Sequence, residues 1–120
     1  MLVLLPQPSQ NQPYFNITTL EGGFLSLPEQ VVVSDPNPDR IATVPSLAFL
    51  LRHTSDNHKV LFDLGINKDL SKYTPATIDW IKKYFLPVSA NPDVIDSLKN
   101  SGHGLTPSDI THVILSHVHW

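Results

Sequence analysis

The sequence predicts a mixed α/β fold, a β-sheet combined with two helices. Three observations carry this. Apolar runs rich in β-branched and aromatic residues fill the first half of the chain and return once near its end. Two segments between them pair a helix-start device with helically spaced apolar residues. No internal repeat, heptad or low-complexity stretch competes with this layout. At 120 residues with 41% apolar side chains, the chain can bury a core without covalent staples. Its 11 prolines point to many loops and short elements.

Residues 1–13, with Pro6, Pro8 and Pro13 among Gln, Asn and Ser, read as a tail before a domain over 14–120. Tyr14 to Leu20 reads as a strand. Gly22-Gly23 is a turn signal, and Phe24–Leu27 and Val31–Val33 suit two short strands or one strand with an irregular connection. Asp35 to Asp39 carries two prolines and reads as a loop. The near-continuous run Leu47-Ala48-Phe49-Leu50-Leu51 indicates a strand covered on both faces, with Pro45 at an edge or bulge position. A polar turn at Thr54–His58 leads into Lys59–Asp63, so 44–63 forms a hairpin that ends on a carboxylate.

Thr74-Pro75 starts the first helix, with Ile78, Ile81 and Phe85 inward, Asp79, Lys82 and Lys83 outward, and Pro87 as its limit. Asn91-Pro92 repeats the device for a second helix with Val94, Ile95 and Leu98 inward and Gly102 as its stop. Thr106-Pro107-Ser108-Asp109 signals one short capped turn. Thr111 to Ser116 then reads as a buried strand that delivers His117-Val118-His119-Trp120.

Composition excludes several functions. With no cysteine there is no disulfide scaffold, cysteine zinc finger or thiol nucleophile. A net charge of -3 without a Lys/Arg run argues against nucleic acid or anionic membrane as the partner. No secretory signal or membrane-spanning run is present, which makes the cytoplasm the default compartment. No phosphate loop, serine nucleophile elbow or kinase signature appears.

The feature that carries chemistry is His117-x-His119 at a strand end. Residues i and i+2 of an extended segment project to one side, so both imidazoles can converge on a metal such as zinc. A solvated pair of histidines remains the bland alternative. The other histidines read as loop, surface or packing residues, and Trp80 with Tyr84 as a helical packing stripe.

Two segments resemble the metallo-β-lactamase superfamily, closest to its lactonase-like branch. Leu105 to Trp120 is similar to the family's short "L-x-P-x-D-I" turn, its "V-I-L-S" strand and the start of His-x-His-x-Asp-His. Lys59 to Gly65 is similar to the family strand that ends in Phe-Asp-x-Gly. The resemblance spans about Val44 to Trp120 and implies the first half of a four-layer αββα sandwich. It implies His117 and His119 as metal ligands, Asp63 as a support of the metal loop, and Trp120 as a pocket-lining residue. It implies one or two zinc ions and hydrolysis of a small-molecule lactone, thioester or other ester by a metal-bound hydroxide. The Asp-His that completes the motif is not among these residues, nor are the later ligands, so a truncated and inactive piece is expected, with at most weak zinc binding and no catalytic residue of its own. The sheet face around Leu47–Leu51 and Val113–Leu115 would lack its opposing sheet. The alternative is a non-catalytic α/β fragment or binding module that acts by associating with another chain, including a second copy, through that face.

Overall fold

A computed structural model describes residues 6–84 and 88–117. Phe85 and Pro87, expected at the end of the first helix, lie outside the described residues, as do His119 and Trp120.

The strands are β1 (Phe15–Pro28), β2 (Ile41–His53), β3 (Lys59–Phe62), β4 (Val88–Ser89) and β5 (His112–Ile114). The helices are α1 (Pro75–Tyr84) and α2 (Val94–Asn100). One mixed sheet runs in the order β4-β1-β2-β3-β5. β1, β2 and β3 form an antiparallel meander, β4 pairs antiparallel with β1, and β5 lies parallel to β3.

The register divides the sheet into two unlike faces. Leu20 pairs with Ala48, and Leu50 with Leu61, so all four point the same way. They are buried against Val94 and Leu98 of α2, with Leu105 and Ile110 at the margin. Polar contacts fasten the same layer. The Glu21 N–H donates to Ser97 Oγ at 3.1 Å, and Thr18 Oγ1 meets His103 Nε2 at 3.2 Å. On the opposite face, Ile17, Leu47 and Ile114 are exposed, and Phe49, Leu51 and Phe62 are half-buried. Among the described residues, the continuous apolar run of β2 is therefore buried against α2 on one side and exposed or half-buried on the other.

Local chemistry explains the helix ends. Thr74 Oγ1 accepts the Thr77 N–H, and Pro75 opens α1 as its first residue. Ile81 is buried, while Asp79, Lys82 and Lys83 are exposed. The cap of α2 is Asp93 rather than Asn91, because its carboxylate reaches the Asp96 N–H at 2.9 Å. With α2 starting there, Ile95 turns outward. Gly102 follows the helix with φ +79, as a stop residue should. Thr106 and Asp109 close a reciprocal capping box over a single 3-10 turn.

Three expectations change. Gly22-Gly23 is not a turn between strands but a bulge inside β1, where the register with β2 slips between Glu21 and Phe24. Val31–Val33 is not a strand: Glu29–Val31 forms a 3-10 turn, closed by the Val32 and Val33 N–H groups on the Glu29 carbonyl. β5 is not buried, since it lies at the sheet edge with β3 as its neighbour, and all three of its residues are exposed. No helix among the described residues is long and apolar enough to cross a membrane.

Candidate functional site

The site forms where β3 and β5, adjacent and parallel, both end. Phe62 pairs with Ile114, and each strand then turns away. Asp63 makes the first turn. Its φ of +63 is left-handed, a region that Asp tolerates better than most residues. Its N–H donates to the Ile114 carbonyl at 2.8 Å, which ties it to the end of β5.

This conformation aims the Asp63 carboxylate at the residue before His117. Oδ1 accepts the Ser116 N–H at 2.7 Å, and Oδ2 accepts the Ser116 hydroxyl at 2.7 Å. The Ser116 oxygen also lies 2.7 Å from His117 Nδ1. Asp63 and His117, far apart in sequence, are thus joined through one serine. The Ser116 N–H first, then its hydroxyl, then nearby His117 hold the Asp63 carboxyl below the usual carboxylate range, against partial desolvation.

The loop behind Asp63 is set by two glycines in backbone contact. A Cβ on Gly65 would lie 2.4 Å from the Gly22 Cα, and one on Gly22 would lie 2.7 Å from the Gly65 Cα. Gly65 also has φ +64, so it needs glycine on both counts. The Ile66 N–H donates to the Gly22 carbonyl at 2.7 Å. The β1 bulge therefore serves as the seat of the loop that carries Asp63.

An open depression of about 970 Å³ lies beside His117 and Asp63. Its walls include Leu25, Val31, Val32, Leu47 and Trp80. Trp80 packs edge-on against Tyr84 with ring centroids 5.9 Å apart, as a packing stripe would, yet it also faces this depression. Val31 and Val32, expected in a strand, line it from their turn. The signal for Trp80 was its place on the same helix face as Ala76 and Thr77, which line the same wall.

Of the residues singled out from the sequence, the structure brings Asp63 and His117 together. His119 and Trp120 lie outside the described residues. No group of three His, Cys, Asp or Glu side chains that could hold a metal occurs among the described residues. The donor type at His117 suits zinc; the donor number there is incomplete. His112 is placed elsewhere, edge-on to His58 at 5.4 Å.

No family model matches the chain. Over 78 residues it is 37% identical to a protein named Metallo-hydrolase mfmC from Annulohypoxylon moriforme, covering 63% of this chain and 20% of that protein. Among solved structures it is similar to a crystal structure of an AiiA mutant from B. thuringiensis with N-decanoyl-L-homoserine bound at the active site. That match has a TM-score of 0.66 at 22% identity and covers 89% of this chain and 42% of the other. The chain thus spans about a fifth of one relative and under half of the other. The fold is that of the metallo-β-lactamase superfamily, of which the chain resembles an N-terminal portion.

Proposed function

We propose that this chain provides the first part of a metal-dependent hydrolase centre, with His117 and His119 as metal ligands and Asp63 as the group that holds their loop. The observation that carries this reading is the chain of contacts from Asp63 through Ser116 to His117 at the carboxyl ends of two parallel strands. Open α/β sheets place their ligands at such ends. The relative named a metallo-hydrolase supports the same class.

Imidazole donors suit zinc among other borderline metals, and zinc, when bound, would supply polarisation of a carbonyl and acidification of water. The protein's own part is positional. Asp63 fixes Ser116 by two hydrogen bonds, and Ser116 in turn orients the His117 ring. The apolar wall formed by Leu25, Leu47 and Trp80 would take the non-reacting part of a small ester, lactone or thioester. The N-decanoyl-L-homoserine bound at the AiiA active site also joins a polar head to a long apolar chain.

Two histidines do not complete a catalytic zinc site, which takes three protein ligands and an open position. Among the described residues no further His, Asp or Glu side chains join His117 in such a group, so on this reading other polypeptide supplies the remaining donors. The 120 residues alone are therefore expected to hydrolyse neither lactone nor thioester with added Zn²⁺. Turnover at the rate of an intact hydrolase would overturn that part of the proposal.

A second reading has its own observation. The sheet face bearing Ile17, Leu47 and Ile114 is apolar and exposed. It suits a module that acts by pairing with another chain, a second copy included.

A further inference from the structure

We propose that Ser116 is a positioning residue that fixes the tautomer of His117, keeping the ring proton on Nδ1 and the lone pair on Nε2. The purpose of this device rests on the metal-centre reading above; its geometry does not. The Ser116 oxygen lies 2.7 Å from Asp63 Oδ2 and 2.7 Å from His117 Nδ1. A hydroxyl has one proton to give, and an ionised carboxylate can only accept. The Ser116 proton therefore goes to Asp63, which leaves the serine oxygen as an acceptor toward the ring. Nδ1 must then carry the hydrogen, and in a neutral imidazole the lone pair falls on Nε2. The opposite assignment would leave two lone-pair-bearing oxygens 2.7 Å apart with no proton between them.

The carboxylate that starts this relay is itself fixed. Its other oxygen accepts the Ser116 N–H, and its own backbone N–H is held by Ile114. The polarity of the relay thus begins at the ends of β3 and β5 and is passed to the ring through one hydroxyl. A ligating histidine commonly gives its second N–H to a carboxylate or carbonyl; here a serine stands between.

The test is long-range ¹H–¹⁵N NMR of histidine-labelled protein, stripped of metal by chelator, at about pH 8 where imidazole is neutral. The native chain is expected to show His117 as the Nδ1–H form. Ser116→Ala keeps the backbone bond to Asp63 but removes the acceptor, so His117 should relax toward the Nε2–H form that imidazole side chains favour in water. Ser116→Thr should restore the native pattern. Asp63→Asn should act like Ser116→Ala, because its amide would donate to the serine oxygen and turn the serine proton toward Nδ1. A native His117 in the Nε2–H form, or an Nδ1–H form unchanged in both Ser116→Ala and Asp63→Asn, would overturn the proposal. Excess Zn²⁺ then tests the metal-centre reading separately. A zinc-induced shift at His117 Nε2 supports it, and unchanged His117 signals contradict it while leaving the tautomer result intact.

Discussion

Asp63 does two jobs with one side chain: it ends a strand in a left-handed conformation, and it organises the backbone before His117. Its loss should be felt in both. Asp63→Ala removes two hydrogen bonds to Ser116 and places a β-carbon residue without a polar side chain at φ +63. The bonds are solvent-exposed, so the expected cost is modest, about 1–2 kcal/mol by chemical denaturation. No change in the denaturation midpoint would contradict the role. At this scale the sequence was partly legible. A carboxylate that closes an apolar strand is visible as a pattern, and so is a pair of histidines two residues apart. The role of Ser116 was not, although the residue falls in the family-like strand; its partner lies 53 positions away, and only the β3–β5 pairing brings them together.

At the scale of elements, the glycines show where backbone must touch backbone. Gly65→Ala would place a Cβ against Gly22 at a position that is already left-handed, so a loss of roughly 3 kcal/mol or more is expected. Gly102 offers a control. It also has positive φ, but a Cβ there meets nothing within 4 Å, so Gly102→Ala should cost only about 1 kcal/mol. Equal effects in thermal melts would show that the Gly22–Gly65 contact does not matter. The capping turn makes a pH prediction. The Thr106 N–H and then its hydroxyl hold the Asp109 carboxyl below the usual carboxylate range. A depressed value means that its stabilisation is present above the unfolded pKa and is lost as pH falls through the folded one. Asp109→Asn should therefore lower stability most at neutral pH and least in acid, which flattens the acid-side pH dependence. An unchanged acid limb would contradict this. The starts of α1 and of the Thr106 turn were legible because their caps act through neighbours in sequence, whereas the α2 cap fell on Asp93 rather than Asn91. The bulge and the Val31–Val33 turn were not. A Gly-Gly pair serves a turn or a bulge equally well, and the partner strand decides between them.

The whole molecule is flat. Its extents are 53 × 44 × 23 Å, and its radius of gyration is 17.8 Å. A compact domain of this length would measure roughly 14 Å. Thinness follows from a single sheet whose buried core lies against α2. Leu50, fully buried between the sheet and α2, belongs to the covered side, and Leu50→Ala should cost about 2–5 kcal/mol. Ile17 belongs to the other side and is 66% exposed. If that face associates, native protein should show concentration-dependent sedimentation, and Ile17→Lys should shift it toward monomer without loss of fold. A monomer at all concentrations would contradict association. The layout of strands, hairpin and helices could be read from sequence because each is set by local pattern. The one-sidedness of the β2 and β5 environment could not be read from composition, since a doubly apolar strand looks the same whether or not its second layer is supplied. It followed instead from the family resemblance, which implies a second sheet.

The central claim is that His117 and His119 hold a metal. Equilibrium dialysis against Zn²⁺ tests it most directly, comparing the native chain with the His117→Ala/His119→Ala double variant. The variant is expected to retain zinc at least roughly tenfold more weakly, while its denaturation midpoint stays unchanged. Equal zinc retention by the two proteins would contradict the claim.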